Sequence, residues 1–451
     1  MKMKRIISGL LAASLVFLAG CQADIPDPTE PTGTPEPNLL DRTEETFPIP
    51  EDYPVYSGKW QPSDEPLTVY VSALYNTGCK SLQSAVEYLA GQPVEINWVF
   101  LPGDSTEANV MLTKMHTDMM AGKGPDMFLA ACPGPFAIDP DSMEPVSRFF
   151  QNPEKTMRLD TFLPLDGLLE NAQYMDVDGL TKAVLSAGRT QAGQVVLPLA
   201  YTYNAVEFRT ADLSDPASLP TSWEGLSKDS ALNFGRALVQ GLCSAPGRMA
   251  DYSSEEILFT EDDLLAWTQA AYDAAYAHSG TQETGAAEVR KSEFVGTDFP
   301  GGQTIKNTFL PLWNTDGGVT AIISSFAAVN KNTAQANNAM FLLDVLCSPQ
   351  VLSGQGFEGE MNGHPRWYGN MVDLTPYHVP IDKSALKYAQ ATAVLDEFDS
   401  KINAVRFFSN LDRVFFDLAM IRWGSEGEPS DLDIQIAVSN AYDTLQMIIS
   451  E

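Results

Sequence analysis

The chain has 451 residues, 44% of them apolar, with seven Trp and 22 Phe, so it can bury a sizeable core and support more than one lobe. Its 28 basic residues stand against 59 acidic ones, and a net charge of -31 excludes the phosphate-neutralising surface that a nucleic-acid partner requires. Five cysteines without a Cys-x-x-Cys pair and four dispersed histidines offer no metal-ligand spacing, so no metal and no cofactor is expected.

The N-terminus reads as an export signal. Lys2, Lys4 and Arg5 form a basic start, and the apolar stretch from Ile6 to Phe17 is shorter than the roughly 20 residues of a spanning helix. Leu18-Ala19-Gly20-Cys21 resembles the bacterial lipobox. That resemblance implies cleavage after residues 1–20 and a diacylated Cys21, two acyl chains being enough for stable anchoring on the outer face of the cell membrane. Residues 21–65 read as the lipidated cysteine and a disordered linker, because Gln22 to Pro50 is dominated by Pro, Thr, Glu and Asp. Extended at about 3.1 Å per residue, such a tether reaches on the order of 90 Å.

From Leu67 the pattern is α/β. Leu67 to Ser72 alternates as a strand, Lys80 to Ala90 reads as a helix, and Val94 to Phe100 is a second strand. Ser105 to Ala121 is a second helix with Met111, Met115 and Met119 on one face, a core stripe. Gly122-Lys-Gly-Pro125 stops that helix before a third strand, Met127 to Ala131. This βαβαβ order implies a mostly parallel sheet with its ligand crevice outside the carboxyl ends of the strands. Tyr75, Asn76, Asp126 and Phe128 are candidates for that crevice. At the far end of the chain, Ser430 to Asp433 reads as a capping box, followed by an apolar stripe of Ile434, Val438, Ala441, Leu445 and Ile448.

No catalytic constellation emerges. His116, His278, His364 and His378 fit no His-Glu-x-x-His, and there is no Gly-x-Ser-x-Gly elbow. Gly354-Gln-Gly-Phe-Glu-Gly359 matches a dinucleotide string but follows a helix rather than a strand. Asp176-Val-Asp-Gly179 begins like a calcium loop, yet its twelfth position is Ala187 instead of Glu. Cys79 and Cys132 each follow a predicted strand, leaving a single bridge or two buried thiols as the alternatives.

His116 to Phe128 resembles the early signature of the family 1 extracellular solute-binding proteins, the sugar receptors of ABC importers. Gly193 to Pro198, Ser222-Trp223-Glu224, Ala327 to Asn330 with Ser348 to Leu352, and Gly359 to Pro365 are similar to later segments of that family, in the same order. Phe208-Arg209-Thr210 stands where the family has an Asn-Lys pair, and from Lys228 to Thr308 the resemblance assigns nothing. It implies a type II periplasmic-binding-protein fold with two lobes joined by a hinge, 66–198 with 319–352 and 199–318 with 353–451. It also implies a monomeric, non-enzymatic receptor that takes a carbohydrate and docks on ABC permease subunits. Tyr201 and Tyr203 after the first crossing, Trp313 and Asp316 before the second, and Arg366 with Trp367 beyond it are then candidate sugar contacts. A surface-anchored glycoside hydrolase and a glycan-binding lipoprotein without a transport role are the competing classes.

Overall fold

The computed structural model describes residues 55–72, 78–102, 105–131, 149–209, 219–228, 234–277, 290–294, 307–370, 379–385, 389–421 and 428–450. Cys21, Tyr75, Asn76 and Cys132 lie outside the described residues.

The strands in chain order are β1 (Leu67–Val71), β2 (Ile96–Phe100), β3 (Met127–Ala131), β4 (Arg189–Thr190), β5 (Gly193–Gln194), β6 (Leu197–Thr202), β7 (Asn204–Arg209), β8 (Ala250–Asp251), β9 (Glu256–Ile257), β10 (Arg290–Phe294), β11 (Asn307–Pro311), β12 (Val319–Val329), β13 (Phe357–Met361), β14 (His364–Tyr368), β15 (Val379–Pro380) and β16 (Ile402–Phe407). The helices are α1 (Cys79–Ala90), α2 (Ser105–Met120), α3 (Pro153–Arg158), α4 (Asp166–Asn171), α5 (Lys182–Ser186), α6 (Trp223–Lys228), α7 (Gly235–Gln240), α8 (Glu261–Tyr276), α9 (Ala336–Leu346), α10 (Pro349–Leu352), α11 (Ala389–Asp399), α12 (Asn410–Ala419) and α13 (Asp431–Ser450).

The first βαβαβ unit forms as its pattern predicts. In β1 the β-branched and apolar residues Leu67, Val69 and Val71 alternate inward and are fully buried. Gly91 closes α1 in the left-handed conformation at φ 66°, and Gly122 does the same after α2 at φ 70°. Met115 is buried and Met111 and Met119 are half-buried, so the methionine stripe is core.

The large sheet runs β15-β6-β12-β3-β1-β2, with β16 also on β12. β1 lies parallel to both β2 and β3, whereas β12 lies antiparallel to β3 and β6. At eleven residues, all buried, β12 is long enough for two sets of partners. Its first half pairs in parallel with β16, and its second half fits between β3 and β6. Two stretches of the C-terminal segment, β15 and β16, therefore enter the same sheet as β1 to β3. A smaller antiparallel sheet runs β10-β7-β11, with α7 packed against β10. The chain leaves the large sheet for the small one at Tyr203 and returns through Leu312 to Gly318.

Helix α9 is apolar on almost every side and buried along its whole length, and one charged residue within it organises its surroundings. Asp344 accepts Tyr56 Oη at 2.7 Å and the backbone N–H groups of Gln173, Tyr174 and Met175 at 2.8, 3.0 and 2.8 Å. Four donors on two oxygens satisfy a fully buried carboxylate that would otherwise be costly. Together with the edge-on contact of Trp60 with Phe341, this fixes residues 55–61 to α9. The expectation of a disordered linker up to residue 65 is thus corrected, because Tyr56 and Trp60 supply aromatic area and a hydroxyl that the body can bury.

Helices α8, α12 and α13 pack on one another. The capping box at Ser430 and Asp433 is present, with Asp433 N–H donating to Ser430 Oγ at 3.2 Å. The buried stripe of α13 is Ile434, Val438, Ala441, Leu445 and Ile449, so the last expected position moves from Ile448 by one residue. Beside this body Arg406 is buried, with Nη1 2.5 Å from Asp412 Oδ1 and Nη2 donating to Cys243 O at 2.9 Å.

Candidate functional site

Because β6 and β3 are both antiparallel to β12, they point the same way as β1 and β2. Four strands consequently end at one edge: Val71, Phe100, Ala131 and Thr202. Ser72 finishes that edge, its hydroxyl accepting Ala131 N–H at 3.0 Å while its own N–H donates to Leu129 O at 2.9 Å. Thr202 is fully buried, and its Oγ1 has no hydrogen-bond partner among the described residues. Ser324, from the first half of β12, adds another hydroxyl at the same level, 3.4 Å from Ala200 O. The outgoing passage begins here, since Tyr203 follows Thr202, whereas the return passage joins β12 at Val319, in the half of that strand that runs past the edge to pair with β16. An edge where parallel strands end and a connection to a second sheet leaves is where open α/β sheets place their ligands. Tyr75 and Asn76 follow β1 in the sequence and lie outside the described residues.

The aromatic candidates at the crossings are interior. Tyr201 and Tyr203 are fully buried and meet edge to face at 5.5 Å. Their hydroxyls converge on Asp399, at the end of α11: Tyr201 Oη lies 3.1 Å from Oδ2, and Tyr203 Oη also donates to this carboxylate. Lys383 Nζ reaches Asp399 at 2.5 Å and contacts Asp396 as well. Burial pushes the Asp399 carboxyl up to about 7, although the hydrogen bond from Tyr201 pulls the other way. With their polar atoms used internally, the two tyrosines fasten the first crossing to α11 and offer no free face in this conformation.

Trp313 is 5% exposed. Its indole N–H donates to Pro220 O at 3.0 Å, Lys401 Nζ sits 5.3 Å from the ring centroid, and its backbone bridges to Val319. Asp316, three residues on, is exposed on the turn, where its N–H donates to Asn314 Oδ1 at 3.1 Å.

The other candidates stand apart from this edge. Asp126 precedes β3 at the opposite end of the sheet, where it accepts Thr68 N–H at 2.7 Å and the Thr333 hydroxyl at 2.5 Å. Phe128 is fully buried among Tyr70, Phe149, Phe150 and Phe162. Arg366 and Trp367 are exposed on the β13–β14 hairpin, which packs against the far end of α1 through the stacked rings of Tyr88 and Tyr368, 4.6 Å apart. Since α1 starts beside the carboxyl edge and ends at the opposite one, that hairpin is remote from Ser72 and Thr202.

Asp399 and Lys383 carried no signal in the sequence, because their partners Tyr201 and Tyr203 lie nearly two hundred residues away. Among the described residues no group of three or more His, Cys, Asp or Glu side chains gathers as a metal site, and no helix is long and apolar enough to cross a membrane.

No family model and no curated protein sequence matches the chain. Solved structures do. An extracellular solute-binding protein family 1 from Alicyclobacillus acidocaldarius superposes with a TM-score of 0.51 at 15% identity, over 85% of this chain and 100% of that one. The chain has the fold of the family 1 extracellular solute-binding proteins. UgpB from Mycobacterium tuberculosis, solved in complex with glycerophosphocholine, gives 0.50 at 13% identity over 86% of this chain and 99% of that one. A de novo designed cysteine esterase gives 0.50 at 12% identity over 86% and 99%.

Proposed function

We propose that this chain is an extracytoplasmic receptor that captures a carbohydrate, an oligosaccharide, between its lobes and delivers it to the permease of an ABC importer. The observation that carries the proposal is the convergence of four strand ends and the outgoing crossing on one edge that bears hydroxyls. Ser72, Thr202 and Ser324 there, with Tyr75 and Asn76 next after β1 in the sequence and Asp316 at the return turn, would supply the hydroxyl, amide, aromatic and carboxylate partners that sugar hydroxyls and C–H faces need. Residues 66–198 and 319–352 would form the first lobe, together with β15 and β16, and most of the remainder the second. Closure requires only that ligand bind the closed arrangement better than the open one. Cys21 would carry the lipid that keeps the receptor at the membrane.

Calorimetry and thermal shift against a panel of oligosaccharides, with glycerophosphocholine as a non-sugar comparison, test this. A cognate sugar should bind at micromolar or lower Kd, about -8 kcal/mol or better, and be recovered intact by chromatography. Turnover of the sugar would move the protein into the hydrolase class, and binding of glycerophosphocholine with no sugar bound would refute the carbohydrate assignment.

A further inference from the structure

Both passages between the two sheets are held by one short segment, Asp399 to Asn403, where α11 ends and β16 begins. Asp399 takes the outgoing passage, accepting the hydroxyl of Tyr203 and that of Tyr201 at 3.1 Å, while Phe398 meets the Tyr203 ring edge to face at 5.6 Å. Lys401 and Asn403 take the return. Lys401 O accepts Val319 N–H at 2.9 Å, and its ammonium lies 5.3 Å from the Trp313 ring centroid. Asn403 Oδ1 accepts Asn314 Nδ2 at 2.6 Å, and Asn403 Nδ2 donates to Asp316 O at 3.3 Å. Asn314 Oδ1 in turn accepts the N–H groups of Asp316 and Gly318 at 3.1 and 3.0 Å, so one amide shapes the return turn and ties it to β16. The approach is close enough to require a glycine: a Cβ on Gly318 would stand 2.1 Å from Asn403 Cγ.

At the small sheet the two passages lie side by side, Leu312 N–H donating to Asn204 O at 2.7 Å. Toward the large sheet they differ: one enters β6 directly, and the other first makes the turn Trp313 to Val319. There each rests on residues 399–403, so neither can shift far without straining contacts that also hold the other. Elements that share the contacts they must break open together. We propose that residues 399–403 are a shared brace that makes the two passages move as one, so that the small sheet turns against the large sheet in a single two-state step instead of by independent flexing of two strands. Use of that step to close on a ligand rests on the receptor proposed above. The coupling itself belongs to the ligand-free chain and is measured there, so the brace and the receptor fail separately.

The test is amide hydrogen exchange of the full chain without ligand, followed in peptides covering 199–204 and 312–319. Asn403→Ala removes side-chain bonds to the return turn only, and Tyr203→Phe removes a bond to Asp399 only. Each should nevertheless speed exchange about fivefold or more in both peptides. Thr315→Val is the comparison: it removes the bond from Thr315 Oγ1 to Ala245 O at 3.0 Å, on the same turn but away from the brace, and should speed exchange in 312–319 alone. Asn403 is half-buried, so Asn403→Ala carries the test if Tyr203→Phe fails to fold. Exchange in 199–204 that stays at the wild-type rate in Asn403→Ala would overturn the proposal. So would equal acceleration of 199–204 by Thr315→Val and Asn403→Ala, because the coupling would then run through Asn204 and Leu312 without the brace.

Discussion

Replacing Trp313 by Ala separates a sugar platform from a structural wedge. The indole is 5% exposed, its N–H donates to Pro220 O at 3.0 Å, and Lys401 lies over its face at 5.3 Å. Truncating a buried aromatic costs about 3–5 kcal/mol, and within that sum the lost hydrogen bond contributes about 1 kcal/mol and the cation–π contact about 0.5–1 kcal/mol. Trp313→Phe keeps most of the area while losing the N–H, so it should cost about 1–2 kcal/mol. Differential scanning calorimetry of the ligand-free protein should therefore rank the melting temperatures wild type, Phe, Ala, with the Ala variant several degrees below wild type. Titration calorimetry on the fraction that remains folded should give a Kd within about threefold of wild type, because a wedge acts on folding and a platform on binding. The opposite pattern, unchanged ligand-free melting with affinity lost in both variants, would refute the reasoning and place the ring against the ligand.

Asp344→Ala, which strands one hydroxyl and three backbone N–H groups, should cost about 3–5 kcal/mol in urea unfolding, whereas Tyr56→Phe, which removes one donor of four, should cost about 1 kcal/mol. Asp399, lifted to about 7 in the folded protein against about 3.9 in an unfolded chain, holds a proton that the unfolded chain releases, so stability present at acid pH should fall as pH rises from about 4 through 7. The ceiling on that loss is about 4 kcal/mol and the Lys383 contact reduces it; melting temperatures at pH 5 and 8 should differ in wild type and less in Asp399→Asn, and identical slopes would remove Asp399 as the cause. Arg406→Met should destabilise by about 3–5 kcal/mol by leaving Asp412 buried and unpaired, and adding Asp412→Leu should recover much of it. Cys21→Ser should shift the protein from the membrane to the soluble fraction with ligand affinity unchanged, and retention at the membrane would refute the lipid anchor.

The parts of the fold legible in the sequence are those built from local periodicity. Leu67 to Val71, the methionine face of α2, the stop at Gly122 and the capping box at Ser430 each need only a few consecutive residues to specify them, and each is where the pattern puts it. The expected stripe ends at Ile448 and the observed one at Ile449, because a 3.6-residue period drifts over a helix of 20 residues. What periodicity does not encode is strand order. Nothing in Ile402 to Phe407 says that it pairs with the first half of β12, since that pairing depends on β12 outrunning β3 and β6.

The aromatic candidates at the crossings are interior side chains, and the reason is mechanical. A segment that carries the chain from one sheet to another is covered on both sides by the elements it joins, so large residues there fill the joint. Tyr201, Tyr203 and Trp313 do this, each with its polar atom taken by a protein acceptor. Aromatic residues beside a crossing therefore report the joint's volume before they report a ligand. At the same edge the buried Thr202 hydroxyl keeps no partner among the described residues, and Ser72 ends β1. Connections that leave strand ends vary more readily than the strands themselves, which is why one fold can accept different solutes without altering the strands that hold them. Ligand choice in this chain should accordingly respond to exchange of Tyr75 or Asn76 with little change in ligand-free melting, whereas exchange of Tyr203 should lower melting first, and both readouts on the same variants distinguish a contact from a joint.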